Sequence, residues 1–278
     1  MEDVRQQRSL GAFETPVNGR SASLPSLGAA LVVDPGVGSF TERGIFGFNS
    51  MDVRSRSFNL IRSKLIRLKA TRGWRTFGIV SATPHVGKSF IAANVAASLS
   101  RDPRNTTHLL DLDLRRASLS DLLGLSEEVG LLEYLSNEER VTAPPTYSFA
   151  GQSLVIYPTR RALVHSAELL AGKRAQRLFE QMRTSSSDNI FLVDLPPIFA
   201  NDDAQTCIAA MDGYILVTEE GKTTIKQTEE TVRVLGQDRL AGVILNKYRG
   251  GVVSEGYGME KYYAEGYGAA PEELPVGD

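Results

Sequence analysis

The run Ala82-Thr83-Pro84-His85-Val86-Gly87-Lys88-Ser89 has the residue types and spacing of a phosphate-binding loop. It matches the Walker A pattern, with Ala82 where the general pattern has its first glycine. In such a loop, backbone N–H groups and a helix N-terminus cradle phosphate oxygens. The lysine, here Lys88, reaches the β and γ phosphates, and the hydroxyl of Ser89 ligates magnesium. With Phe90 included, residues 82–90 form the candidate nucleotide-binding run. A second set of chemical groups lies at two acidic strand ends, Leu109-Leu110-Asp111-Leu112-Asp113 and Phe191-Leu192-Val193-Asp194-Leu195-Pro196-Pro197. Carboxylates at the ends of neighbouring parallel strands converge on the crevice beside a phosphate loop, where they can hold Mg²⁺ or orient a nucleophile. One such aspartate would be as easily a cap of the following turn; three in this arrangement point to chemistry.

The elements that must position these groups are legible in the apolar pattern. Thr76–Ser81, Thr107–Asp111, Ser153–Tyr157, Ile190–Asp194, Gly213–Thr218 and Leu240–Leu245 read as strands with the uninterrupted apolar character of a parallel sheet covered on both faces. Between them, Ile91, Ala92, Val95, Ala96 and Leu99 make one helical stripe. Ala167, Leu170, Ala171, Ala175, Leu178, Phe179 and Met182 make a second, and Ile225, Thr228, Val232 and Leu235 a third. This alternation predicts an α/β fold with a doubly wound, mostly parallel sheet, and ligands at the carboxyl ends of its strands.

Three regions follow: a flexible Ser-, Gly- and Pro-rich segment over 1–50, a nucleotide-binding domain over 51–247, and a flexible Tyr-, Gly- and Glu-rich tail over 248–278. The domain opens with a basic amphipathic helix. Arg54 to Arg75 contains Lys and Arg but no Asp or Glu, while Phe58, Ile61, Leu65 and Leu68 recur at helical spacing. A net charge of −2 argues against an electrostatic nucleic-acid binder. The single cysteine, Cys207, can form no internal disulfide, and no apolar run approaches the roughly 20 residues of a membrane span. The expected location is the cytoplasm, with any membrane association through a partner or a surface patch.

The ordered set of motifs resembles the bacterial tyrosine kinases, the BY-kinase family of capsular and exopolysaccharide production. Ala82, Pro84, Gly87, Lys88 and Ser89 are similar to its Walker A variant. Leu109 to Arg115 resembles its Walker A′ motif, and Leu192 to Pro197 its Walker B motif. Arg115-Arg116-Ala117-Ser118-Leu119, Ala167-Glu168-Leu169-Leu170, Asp202-Asp203-Ala204 and Leu245-Asn246-Lys247 are further echoes, so the likeness covers roughly residues 55–250. The departures are His85 and Val86, where Gly and Glu are common in the family, and an N-terminal helix in which Arg62 alone matches the charged pattern of the family's oligomerisation helix.

The resemblance implies an ATP- and Mg²⁺-dependent protein-tyrosine autokinase that regulates polymer production. Lys88 would stabilise the phosphates, and Asp111 and Asp113 would assist catalysis. Ser89, Asp111 and Asp194 would supply the metal shell, and Asn246 would read adenine. Arg115 or Arg116 would serve a subunit contact. Five of the nine tyrosines, Tyr248, Tyr257, Tyr262, Tyr263 and Tyr267, fall in the last 31 residues, and Tyr257, Tyr262, Tyr263 and Tyr267 are the expected phosphoacceptors in a sister subunit. Implied partners are a membrane polysaccharide copolymerase that activates the kinase and recruits it to the inner face of the membrane, further copies of the chain, and a cognate tyrosine phosphatase. Two other readings stay open: an ATPase switch of the MinD/ParA kind, although Thr83 occupies the place of that group's signature lysine, and an ATP-holding pseudokinase that docks on a copolymerase.

Overall fold

The computed structural model describes residues 24, 29–33, 39–125, 130–136, 141, 143–161 and 166–249. Its strands are β1 (Leu31–Val33), β2 (Thr76–Val80), β3 (Thr106–Asp111), β4 (Tyr147–Phe149), β5 (Leu154–Tyr157), β6 (Asn189–Asp194), β7 (Gly213–Glu219) and β8 (Leu240–Asn246). They form one sheet in the order β1-β4-β5-β3-β6-β2-β7-β8. Every pairing is parallel except β4 with β5. Helices α1 (Ser39–Glu42), α2 (Arg56–Arg72), α3 (Lys88–Leu99), α4 (Ser118–Leu123), α5 (Leu131–Leu135), α6 (Ser166–Ala171), α7 (Lys173–Thr184), α8 (Asp203–Ala209) and α9 (Ile225–Leu235) complete the chain order.

The sheet is doubly wound because successive side chains of its strands enter different cores. Leu109, Ile156, Leu192 and Ile79 face a layer made with α2, α3 and α4. Their neighbours Leu110, Val155, Val193 and Val80 face a layer made with α5 to α9. The close approach of α8 needs Gly78 in the middle of β2, since a Cβ there would lie 2.2 Å from Ile208 Cδ1. The order β3-β6-β2 brings the carboxyl ends of three neighbouring strands together, and both motif aspartates and the phosphate loop sit at those ends.

Four expectations need correction. Residues 39–50, assigned by composition to a flexible segment, pack onto the domain. Asn94 in α3 is fully buried; its Oδ1 accepts from the N–H groups of Phe46 and Gly47 at 2.7 and 3.1 Å, and its Nδ2 donates to the carbonyls of Gly44 and Phe90. Phe40 and Phe48 add edge contacts to Phe149. A segment this short has no periodicity to read; a distant asparagine and a few aromatic rings hold it. The stripe from Ala167 to Met182 is two helices, α6 and α7, separated by the extended Gly172. Strands β1 and β4, three residues each, extend the sheet beyond the expected six. Among the described residues strand β8 pairs only with β7 and is not covered on both faces: Val243 and Leu245 are 49% and 53% exposed. The remaining expected strands and helices coincide with observed elements to within a few residues. The far N-terminal residues and 250–278 lie outside the described residues.

Replacing Asn94 with Ala leaves the N–H groups of Phe46 and Gly47 without their acceptor in a buried site. Each such donor costs about 1–3 kcal/mol, so urea unfolding should show a loss of at least about 2 kcal/mol.

Candidate functional site

The phosphate loop leaves β2 at Ser81, whose hydroxyl donates to the Thr83 carbonyl at 2.7 Å, and enters α3 at Lys88. Ala82 and Val86 are buried, Pro84 and His85 are exposed, and Thr83, Gly87 and Ser89 lie between. His85 and Gly87 adopt φ of 65° and 95°. Gly87 is the N-cap residue and no side chain caps the helix, so the first N–H groups of α3 stay available to an anion. The ring of Phe90, the last residue of the candidate nucleotide-binding run, lies against Phe46 and Phe58.

Lys88 is only 4% exposed, and its Nζ stands 3.9 Å from Asp113 Oδ2. Asp111 and Asp194 are register partners at the ends of β3 and β6, and both are fully buried. Their local engagements differ. Asp111 accepts from the backbone N–H groups of Asp113 and Leu119, each at 3.1 Å, and so shapes the turn that carries Asp113 and the start of α4. Among the described residues no group makes a well-aligned hydrogen bond to either buried carboxylate oxygen of Asp194, and the nearby Ser89 hydroxyl is the hydrogen-bonding group that lowers its pKa. Ser89 Oγ, at the start of α3, lies 2.6 Å from Ser118 Oγ.

Burial and then the neighbouring Asp194 push the Asp111 carboxyl well above the usual carboxylate range. Burial also raises Asp194, with Lys88 offsetting part of the rise. Asp113 is raised by burial, again against the pull of Lys88. Lys88 thus acts on Asp113 and Asp194, and Asp111 lies beside Asp194. Among the described residues no three His, Cys, Asp or Glu form an all-protein metal cage. That donor set suits Mg²⁺, which takes one or two carboxylates and completes its shell with water and phosphate oxygens. The buried Asp194 oxygens and the Ser89 hydroxyl fit such an ion, and Asp111 has lone pairs left for a bridging water.

The motif aspartates give no hint of a neighbouring network at Asp203, which is 1% exposed at the start of α8. Its Oδ2 accepts from Ser166 Oγ at 2.8 Å and Asn201 Nδ2 at 2.6 Å. Arg115 Nε donates to Ser166 Oγ at 3.0 Å and stands 3.6 Å from Asp203 Oδ2. Arg115, expected with Arg116 as the alternative at a subunit contact, makes these bonds within its own chain while its side chain stays 56% exposed. The pair Asp202-Asp203 was visible, but its meeting with Ser166 and Arg115 depends on the packing of α6 against α8. Asn246, expected at adenine, places its Nδ2 2.7 Å from the Val86 carbonyl of the loop. Tyr257, Tyr262, Tyr263 and Tyr267 lie outside the described residues.

Residues 53–271 match the model of the CobQ/CobB/MinD/ParA nucleotide binding domain. The chain belongs to this family. Within it, the similar curated proteins carry kinase and export names. Tyrosine-protein kinase YwqD of Bacillus subtilis is 28% identical over 216 residues, covering 75% of this chain and 88% of that one. Succinoglycan biosynthesis transport protein ExoP of Rhizobium meliloti is 32% identical over 68% of this chain. The chain spans only 24% of ExoP and 26% of the putative tyrosine-protein kinase EpsB of Ralstonia nicotianae. Among solved structures, the kinase domain of Escherichia coli tyrosine kinase ETK superposes with a TM-score of 0.65 at 25% identity, over 73% of this chain and 79% of that one. The MinC:MinD complex of Aquifex aeolicus, at 0.52 and 21% over 66% of this chain and 72% of that one, shares the fold alone. The MinD/ParA likeness is thus the more distant one.

A carboxyl whose folded pKa is raised favours folding when protonated. That stabilisation is complete below the ordinary carboxylate pKa and is lost as pH rises through the raised value. Asp194→Asn has no charge to bury, so its apo form should melt above wild type at about pH 8, with the gap shrinking toward about pH 5. The same variant should lose the extra thermal stabilisation that Mg²⁺ adds to bound nucleotide. Scanning calorimetry across pH, with and without Mg-ADP, reads both effects; an apo Tm below wild type at about pH 8 would contradict the electrostatic account.

Proposed function

We propose that this chain is an ATP- and Mg²⁺-dependent protein-tyrosine kinase that phosphorylates tail tyrosines of a neighbouring copy. The observation that carries this reading is the match to tyrosine-protein kinase YwqD along 88% of that protein. The geometry described above supports the same reading. Lys88 binds and orients the terminal phosphates, and the N–H groups of the loop and of α3 fix the rest of the phosphate chain. Ser89 and Asp194 hold the metal, which when bound neutralises phosphate charge as the transferred group passes between oxygens. A phenol with a pKa near 10 is a poor nucleophile at neutral pH. A carboxylate whose pKa is raised is a better acceptor for its proton, and burial raises both Asp111 and Asp113. The proposed acceptors are Tyr257, Tyr262, Tyr263 and Tyr267 of a second copy.

The catalytic unit is residues 51–247 together with the packed segment 39–50, and the rest of 1–50 and 248–278 flank it. The biological setting is exopolysaccharide or capsule production, on the strength of names such as that of ExoP. There the chain works at the inner face of the membrane with a copolymerase as activator and a tyrosine phosphatase as antagonist. No helix among the described residues is long and apolar enough to cross a membrane.

Incubation with Mg-ATP followed by anti-phosphotyrosine detection should give a signal in the C-terminal peptide of wild type and none in Lys88→Met. Transfer between copies is read by mixing Lys88→Met, tail intact, with a variant whose four tail tyrosines are Phe. Phosphotyrosine should then appear on the Lys88→Met chain. Failure of wild-type protein, with its activator supplied, to form any phosphotyrosine would refute the kinase reading.

A further inference from the structure

Three successive carbonyls of the phosphate loop are each held by a side chain from the β7/β8 edge of the sheet. Lys222 Nζ donates to the Pro84 carbonyl at 3.1 Å, Lys247 Nζ to the His85 carbonyl at 2.9 Å, and Asn246 Nδ2 to the Val86 carbonyl at 2.7 Å. The donors are themselves braced. Glu219, the last residue of β7 and the register partner of Asn246, stands 3.5 Å from Lys222 Nζ and 3.1 Å from Lys247 Nζ. The Thr223 hydroxyl accepts the Glu219 N–H, and the Asn246 carbonyl accepts the Glu220 N–H.

A trans peptide unit is planar, so a carbonyl and the N–H that follows it point to opposite sides of the chain. Holding the carbonyls of Pro84, His85 and Val86 against the β7/β8 edge therefore turns the N–H groups of His85, Val86 and Gly87 to the other side. Those are the amides that a Walker A loop offers to phosphate. The loop would not keep this shape unaided. His85 holds φ at 65° and Lys247 at 56°, a region that non-glycine residues occupy at a cost, and the two are joined by the Lys247 bond. Gly87 is needed for a complementary reason: a Cβ there would lie 2.3 Å from Asn246 Nδ2.

We infer that Lys222 and Lys247, braced by Glu219, are positioning residues that hold the loop amides ready for phosphate, and that they compensate for the non-glycine residue at His85. This rests on the nucleotide-binding site described above and is independent of whether tyrosine is the acceptor. Neither lysine is assigned a contact with nucleotide; each acts through a carbonyl on the outer side of the loop.

The test is the affinity of the full chain for a fluorescent ADP analogue with Mg²⁺. The double variant Lys222→Met/Lys247→Met should bind about tenfold or more weakly. Its apo Tm should stay near wild type, because both side chains are half exposed. Lys222→Arg/Lys247→Arg, which keeps the donors, should recover most of the affinity. The ratio between wild type and the Met variant should persist from about 0.1 M to about 1 M salt, where the Debye length falls from about 10 Å to about 3 Å. Should the double variant not fold, Lys222→Met alone, in a surface loop, carries the same comparison with a smaller loss. Unchanged affinity, absence of rescue by Arg, or a ratio that vanishes at high salt would overturn the inference, the last by making the lysines simple attractors of charge. Wild-type protein that binds no ADP would overturn this inference and the nucleotide reading together. Protein that binds ADP and forms no phosphotyrosine would leave the clamp standing and remove only the kinase.

Discussion

The buried ion pair between Lys88 and Asp113, with Asp111 and Asp194 behind it, sets the terms for the rest of the molecule. Removing charges from water is costly and is offset only by close, well-oriented partners. Here burial raises the pKa of all three carboxyls, while Lys88 and Arg116 offset part of the rise at Asp113 and Asp194. Asp111 relieves part of its own cost through two backbone N–H groups, whereas Asp194 has no such relief. A site arranged this way is poised to gain stability from a divalent cation. It would repel a phosphate chain that arrived without one.

The sheet order makes that cluster possible. A crossover from β2 to β3 leaves a gap that β6 fills, so the phosphate loop after β2 stands beside the ends of both acidic strands. Parallel strands direct all three carboxyl ends to one edge. The two helical layers then exclude water from the floor of the site, where Leu112 and Leu195 lie fully buried beside their aspartates. Low dielectric strengthens every charge interaction there, including the unfavourable ones.

The loop itself shows how an unusual sequence can keep a demanding backbone. His85 takes a conformation that glycine would adopt freely, and carbonyl bonds from Asn246, Lys247 and Lys222 surround it. These donors come from chain more than 130 residues away. A substitution that would be disruptive in an isolated loop is accommodated because β7 and β8 lie alongside it. Residues 39–50 are held by the same kind of remote partner, with Asn94 of α3 supplying the hydrogen bonds.

Local pattern sufficed for what depends on near neighbours. The six main strands, the principal helical stripes, the phosphate loop and the acidic strand ends all rest on runs of a dozen residues or fewer, where period and residue type report burial directly. The ring contacts of Phe90 were not legible, because its aromatic partners come from residues 46 and 58. The break at Gly172 was hidden because an apolar stripe can continue across two helices. Strands β1 and β4 are too short to show a period, and β8 has strand composition whether or not a further layer covers it. The division of labour between Asp111 and Asp194, the tie of Arg115 to Ser166 and Asp203, and the support of the loop by Lys222 and Lys247 belong to tertiary structure. They join residues from 37 to more than 130 positions apart. A linear sequence names the donors and acceptors, but only the folded backbone decides which of them come within 3 Å, because hydrogen bonds and ion pairs lose their strength steeply with distance and misalignment.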